Sequence, residues 1–311
     1  MKFKPSYTFL LSFFLLGVLT IPFGFAQNQI SLLVLTKSTG YEHEVVRRDH
    51  GVLSFVETTM LEIGARNNIT VVTTKDAGMI NVPQLKMFDV VMFFTSGDLR
   101  EPSADNGAPM GGNGLSALVE WVRSGGGFFG SHTATATFET LSDFQLLSGG
   151  VFDTHKNQEE AAINVVDSPL TLHFEKSFRL LDEYYIFKDL KKSEHYQPLL
   201  ILDTKSMMQE EYNQRDPYPI AWTDQVGHGR VFNCALGHRE EVWSDRQFQQ
   251  FIVNGIQWAA GLESVDQNEM MKKIRTMTAE ERRAFLMKLS PEERDRFRER
   301  ARERFGQRNE P

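Results

Sequence analysis

Histidines in loops are the residues of this sequence best suited to do chemistry. Four of its eight histidines lie in loops that a layered fold could bring to one edge of a sheet. These are His43, His132, His155 and His238. A histidine can transfer protons near neutral pH, and its neutral ring can ligate a transition metal. No close-spaced H-x-x-x-H or C-x-x-C motif is present, so a site for a divalent metal such as zinc would require the fold to bring these distant histidines together.

His132 lies in the most distinctive stretch of the chain, Gly125–Ala134, which reads GGGFFGSHTA. Glycines lead into a short aromatic strand that ends in small and polar residues. This pattern predicts a sharp turn at the carboxyl end of a parallel strand, where α/β folds bind ligands, with His132 at its centre. A serine hydrolase would have serine there and an amidotransferase would have cysteine. A histidine at this position is therefore evidence against covalent acyl chemistry.

Glu183 and three aromatic residues are further candidates for the site. Glu183 follows Asp182 just before an aromatic segment, and its carboxylate could orient a histidine or contact a hydroxylated ligand. Structural capping is the alternative. Tyr41, Trp222 and Trp243 could stack on a sugar ring, although aromatic residues at such spacing usually belong to the core.

The elements that must position these residues follow an alternating pattern. Apolar runs such as Ile30–Thr36, Ile69–Thr74 and Val90–Asp98 read as buried strands, and segments with helical periodicity lie between them. We predict an α/β fold with a doubly wound, mostly parallel sheet. Residues 160–236 are rich in strand signals, which predicts a strand-rich C-terminal extension. The capping sequence Ser244–Gln247 then predicts a last core helix that ends at Gly261.

The two ends of the chain differ from this central part. Residues 1–26 combine Lys2 and Lys4 with an apolar run, as in a cleaved secretory signal, so we expect export to the periplasm or the exterior, with a membrane anchor as the alternative. Residues 27–263 are predicted to form the α/β domain. Residues 264–311 are predicted to be a charged helical tail with two Arg-rich segments, either solvated or binding a partner or membrane surface.

The charge and the cysteine content of the chain exclude some other classes of protein, such as nucleic-acid-binding and disulfide-bonded proteins. The net charge is −7, yet residues 271–311 hold 13 Lys or Arg against 8 Asp or Glu, so the rest of the chain is strongly acidic. An acidic main domain excludes a nucleic-acid partner, and nothing beyond the N-terminal segment suggests a membrane. Cys234 is the only cysteine and lies in an apolar strand, which predicts a small buried residue and no intramolecular disulfide.

Several motifs together resemble the trehalose-utilisation, or ThuA-like, family, whose fold is similar to class I glutamine amidotransferases and to flavodoxin. The resemblance covers about residues 30–261 and excludes the tail. Beside the turn at His132, the matching pieces are Gly40–His43, Gly149–His155, Asp182–Tyr184, Pro219–Trp222, Gly229–Trp243 and Phe251–Gly261. The chain carries Ser131 where the family more often has leucine, and this leaves His132 in place.

The resemblance implies carbohydrate metabolism, with disaccharides such as trehalose or their 3-keto derivatives as substrates. We hypothesise a 3-keto-glycoside hydrolase or lyase in which His132 is the base, His238 or a metal polarises the ketone, and Glu183 orients the histidine or the sugar. Ligand binding is assigned to Tyr41, His43, Ser131, His155, Trp222 and Trp243. The alternative is a non-catalytic sugar-binding protein with a degenerate amidotransferase-like pocket. The partner in either case is a small sugar, and a homo-oligomer remains open.

Overall fold

The computed structural model describes residues 29–190, residues 193–262 and Thr278. The predicted signal segment, residues 1–26, and the predicted tail apart from Thr278 lie outside the described residues. Among the described residues, no helix is long and apolar enough to cross a membrane.

The described chain alternates strands and helices in its first half and is rich in strands in its second. The strands are β1 Ile30–Leu35, β2 Ile69–Thr74, β3 Val90–Phe93, β4 Gly127–Ser131, β5 Gly150–His155, β6 Glu159–Val165, β7 Ser177–Asp182, β8 Tyr185–Leu190, β9 Gln197–Asp203, β10 Tyr218–Val226 and β11 Gly229–Cys234. The α-helices are α1 Phe55–Arg66, α2 Val82–Leu85, α3 Gly114–Arg123, α4 Ser142–Ser148, α5 Glu210–Asn213, α6 Glu240–Ser244 and α7 Arg246–Ala259.

Nine of these strands form one mixed sheet in the order β2-β1-β3-β4-β11-β10-β9-β6-β7. The first five in this order are parallel to one another, and the last four continue the sheet with antiparallel pairs. β5 and β8 form a separate antiparallel pair. The predicted α/β fold with a mostly parallel N-terminal part and a strand-rich extension is confirmed.

The core lies on both faces of the parallel strands. In β1, Leu32 and Val34 face one apolar cluster, and the alternate residues Leu33 and Leu35 face the other. The first cluster includes residues of α1 and α7, and the second includes residues of α3 and α4. Strands that are covered on both faces need apolar side chains at every position, which is why β1 reads as a continuous apolar run.

Two predicted boundaries differ from the structure. The last core helix is capped by Asp245, whose side chain accepts a hydrogen bond from the Phe248 backbone amide, rather than by Ser244. The sequence of residues 138–147 also predicts a helix that stops at the glycines that follow. This helix, α4, begins only at Ser142, although it ends as expected at Gly149, which has a left-handed φ of 64°.

Candidate functional site

Four side chains converge at the carboxyl edge of the parallel strands. His43 follows β1, His132 follows β4 and His238 follows β11, and these strands are close neighbours in the sheet. Glu183 joins them from the loop between β7 and β8. One nitrogen of each ring and one carboxylate oxygen all lie within 4.8 Å of one another. We call these four residues the histidine–glutamate cluster.

The ring of His132 is held in one orientation by its surroundings. Its φ of 40° is unusual for a residue other than glycine and turns the chain sharply after β4. Nδ1 lies 2.8 Å from the Ala235 carbonyl oxygen, and the ring stacks on Tyr185 with centroids 4.5 Å apart. Since a carbonyl oxygen only accepts, Nδ1 carries the proton and donates it. Nε2 therefore presents a lone pair to the centre of the cluster.

Glu183 is the group that links the histidines. Its Oε2 lies 3.4 Å from His43 Nε2, 3.4 Å from His132 Nε2 and 3.3 Å from His238 Nδ1. Its Oε1 lies 3.1 Å from Nδ1 of His155, which stands at the end of β5. The structure therefore brings together all four histidines that the sequence singled out, three of them in the cluster and His155 beside it.

Burial and mutual contacts determine the charges in the cluster. Burial lowers the pKa of His43, and it lowers the pKa of His132 to about 4, so both rings are neutral near pH 7. Burial alone would raise the pKa of Glu183, but the ring nitrogens of His132, His238 and His43 next to the carboxylate hold that pKa well below its usual range. Neutral imidazoles around an ionised carboxylate form a set of lone pairs that suits a cation.

The loop that carries His238 is supported by Asp182, a residue to which the sequence analysis assigned no role. The Asp182 carboxylate accepts hydrogen bonds from the backbone amides of Gly237 (2.7 Å) and His238 (3.1 Å). Burial raises the pKa of this carboxyl to about 7. The Trp243 indole donates to the Gly237 carbonyl at 2.9 Å from the other side of the loop. The one available signal was that Asp182 directly precedes Glu183.

Three side chains at the cluster reach solvent. The side chain of His155 is 43% exposed and that of His238 is 20% exposed. Tyr41 is 68% exposed, and its ring meets His43 edge-on with centroids 4.9 Å apart. These residues mark the side from which a ligand would enter.

Other predicted ligand-binding residues lie in the interior. Trp222 and Trp243 are fully buried, and Trp222 packs against Phe187 in the antiparallel part of the sheet. Ser131 is also fully buried. Cys234 is buried as predicted, and burial raises the pKa of its thiol to about 12, so it is not a reactive nucleophile. A ligand that enters from solvent can therefore reach Tyr41 and His155 but not the two tryptophans.

The fold is an α/β fold whose mixed sheet has a parallel N-terminal part, and the site is a cluster of three histidines and one glutamate at the carboxyl edge of that part. The chain belongs to the ThuA family, described as trehalose utilisation, whose family model matches residues 31–259. The predicted family resemblance is confirmed, and it implies trehalose or carbohydrate utilisation.

Two solved structures are similar to this chain. A ThuA-like protein from Bacteroides uniformis is 18% identical with a TM-score of 0.57, and the match covers 74% of this chain and 91% of that one. A ThuA-like protein from Parabacteroides merdae is 17% identical with a TM-score of 0.58, and the match covers 76% of this chain and 92% of that one. No curated protein matches the sequence. At this identity the structural similarity supports the shared fold.

Proposed function

We propose that this protein is an enzyme that cleaves glycosidic bonds in 3-keto derivatives of disaccharides. The observation that carries the proposal is the convergence of three histidines and Glu183 at the carboxyl edge of the sheet in a member of the trehalose-utilisation family. Such an edge is where α/β folds bind and transform their ligands. Perturbed pKa values in a cluster of this kind are typical of catalytic sites.

The reaction uses the acidity that a ketone gives to its neighbouring carbon. In a 3-keto glycoside, a base removes the C2 proton, the electron pair forms a C1–C2 double bond, and the C1–O bond breaks. The departing sugar oxygen takes up a proton. Water then adds across the new double bond, with its oxygen at C1 and a proton at C2, and gives the free 3-keto sugar. The site must supply a base at C2 and a positive group at the ketone oxygen.

We assign the proton transfer at C2 to His155 and not to His132. The His132 side chain has no solvent exposure, and its Nε2 points at His43 and Glu183. His155 is 43% exposed and its Nδ1 lies 3.0 Å from the Lys156 carbonyl oxygen and 3.1 Å from Glu183 Oε1. Nδ1 therefore carries the proton, and Nε2 is left with a lone pair on a ring that a sugar can reach.

An ordinary glycosidase mechanism fits the site less well. Such enzymes place two carboxyl groups on either side of the scissile bond. Within the described part of the chain, Glu183 is the one carboxylate in the cluster. Both oxygens of the neighbouring Asp182 accept backbone hydrogen bonds, so this group is not placed as its partner.

The first test is a comparison of three substrates. Trehalose, 3-keto-trehalose and a simple pyranoside are incubated with the purified protein, and released monosaccharide is measured. We expect turnover of the keto sugar alone. The variant His155→Gln should lower kcat by about 10²–10⁴-fold, as expected for loss of a general base. His195→Gln, at an exposed histidine that contacts Glu194, is the matched control and should keep full activity.

The outcomes separate the candidate functions. Hydrolysis of unmodified trehalose at the same rate would overturn the keto-sugar mechanism. Full activity of His155→Gln would overturn the assignment of the base. Sugar binding without turnover would support a non-catalytic sugar-binding protein instead.

A further inference from the structure

We propose that the histidine–glutamate cluster binds one divalent transition-metal ion through His43 Nε2, His132 Nε2, His238 Nδ1 and Glu183 Oε2. Zinc is the ion that we expect to fit best. Binding of the metal rests on the geometry of the cluster alone. Its use in catalysis rests on the proposed function, where it would be the positive group at the ketone oxygen.

The spacing of the ligand atoms matches a tetrahedral site. The edge of a tetrahedron is about 1.63 times the distance from its centre to a corner, so zinc–ligand distances of about 2.0–2.1 Å require atoms about 3.3–3.4 Å apart. His132 Nε2 lies 3.2 Å from His43 Nε2, and Glu183 Oε2 lies 3.3–3.4 Å from one nitrogen of each ring. Four of the six edges are thus already of the required length.

Two of these contacts place lone pairs around a centre that a cation would stabilise. His132 Nε2 is deprotonated because Nδ1 donates to Ala235, yet it faces the ionised Glu183 carboxylate at 3.4 Å. Two lone pairs that face each other repel unless a positive charge lies between them. His238 Nδ1 is buried and makes no hydrogen bond within the described residues, although it lies 3.3 Å from the same oxygen. Both nitrogens belong to the set of four ligand atoms that lie within 4.8 Å of one another.

The orientation of the ligands is fixed in the way that metal sites require. The hydrogen bond from His132 Nδ1 to the Ala235 carbonyl sets the tautomer and holds the ring. The two amide bonds to Asp182 hold the backbone at His238. The second oxygen of Glu183 faces His155, so that carboxylate is held at both ends.

The donor set indicates which metals the site would take. Three imidazoles and one carboxylate suit zinc and its first-row neighbours, whereas calcium and magnesium prefer sites made of oxygen. Two positive charges against one carboxylate leave the site with one net positive charge. Zinc would polarise a carbonyl oxygen here only by expanding to five ligands, and the partly exposed His238 marks the side from which that oxygen would approach.

The test is metal binding by purified protein that has been stripped with a chelator. Zinc and cobalt are added in turn, metal per chain is counted by elemental analysis, and the visible absorption of bound cobalt reports its coordination. We expect one ion per chain and the intense bands of a near-tetrahedral cobalt site. Glu183→Gln and His132→Gln should weaken zinc binding by at least about 100-fold.

Two comparisons make the result specific to the cluster. His173→Gln changes another largely buried histidine, whose pKa burial also lowers to about 4, and should bind zinc like the wild type. His238→Gln changes the most exposed ligand and keeps the test valid if His132→Gln does not fold. Circular dichroism of each stripped variant shows whether it is folded.

Each outcome bears on one proposal only. Negligible zinc and cobalt binding by the wild type, or equal binding by wild type, Glu183→Gln and His238→Gln, would overturn the metal site. Specific binding without turnover of the keto sugar would leave the metal site and overturn the proposed function. Turnover that persists in the chelator-stripped protein would leave the proposed function and overturn the use of the metal in catalysis.

Discussion

Asp182 shows how one residue acts on the site through another. Its carboxylate lies beneath the loop that carries His238, and both of its oxygens accept amide hydrogens. Burial of such a charge is costly, as its pKa of about 7 indicates, so the two hydrogen bonds have to offset that cost. We regard Asp182 as a positioning residue for His238.

Replacing Asp182 with asparagine tests this role. The amide keeps one acceptor oxygen but places an NH₂ group against the second backbone amide, so His238 should lose its fixed position. We expect zinc affinity to fall about 10–100-fold while the protein stays folded. The measurement is zinc binding by calorimetry. Asp203→Asn, at a carboxylate that accepts a hydrogen bond from the Lys205 amide and is not part of the cluster, is the control, and equal affinities for the two variants would contradict the role.

The sequence predicted individual site residues with unequal success. His43 and His132 could be predicted to meet because each follows a strand of the predicted parallel sheet, and the carboxyl ends of such strands lie at one edge. The positions of Trp222 and Trp243 could not be predicted, since aromatic residues in strands and helices look alike whether they face a ligand or the core. The contact between Asp182 and the Gly237 amide joins the end of β7 to the loop after β11 across 55 residues, and no local pattern signals it.

At the scale of elements, the approach of β4 to β11 depends on the absence of a side chain at Gly130. These strands are parallel neighbours, and Gly130 lies opposite Asn233. A Cβ atom built at Gly130 would lie 2.0 Å from Asn233 Oδ1 and 3.2 Å from the Ala134 Cβ. A side chain at this point, one strand position before the turn that presents His132, would therefore have to displace the buried Asn233 side chain.

Gly130→Ala should consequently disturb both the sheet and the site. Overpacking of this kind typically lowers the free energy of unfolding by about 1–3 kcal/mol. We expect a loss in that range by denaturant unfolding, together with weaker zinc binding. Gly112→Ala is the matched control because a Cβ there meets nothing within 4 Å and the backbone is not left-handed. Unchanged stability of Gly130→Ala would contradict the packing described here.

The pairing of elements was predictable only in part. Runs of apolar residues predicted β1, β2, β3 and β4, and alternation with helices predicted their parallel order. The placement of β11 beside β4 and the separation of β5 and β8 from the main sheet were not predictable. Both depend on contacts between segments distant in sequence, which short-range periodicity does not report.

At the scale of the whole molecule, the antiparallel extension is attached to the parallel part through α7. His173, in the turn between β6 and β7, places Nε2 3.0 Å from the Gln247 carbonyl oxygen and Nδ1 3.4 Å from the Asn254 amide nitrogen. Nε2 donates and Nδ1 accepts, so this contact needs the neutral ring. Burial lowers the pKa of His173 to about 4.

This contact predicts sensitivity of the fold to acid. Below the unfolded pKa of about 6.5, the unfolded chain binds a proton at His173 that the folded protein does not, so stability falls as the pH drops from about 6.5 toward 4. Between pH 7 and pH 4.5, the wild type should lose on the order of 1–2 kcal/mol more of its free energy of unfolding than His173→Gln does, because the ring is not fully buried. Denaturant unfolding at the two pH values measures this loss. The difference in the free energy of unfolding between His195→Gln and the wild type should be the same at pH 7 and pH 4.5. An equally constant difference for His173→Gln would refute the prediction.

The measurement that tests the central claim most directly is proton exchange at C2 of 3-keto-trehalose in deuterated water. Zinc-loaded protein, chelator-stripped protein and His155→Gln are compared by NMR. We predict that the zinc-loaded protein releases 3-keto-glucose that carries deuterium at C2, and that the stripped protein and the variant are slower by at least about 100-fold. Cleavage by the zinc-loaded protein that leaves the original hydrogen at C2 would contradict elimination at the histidine–glutamate cluster.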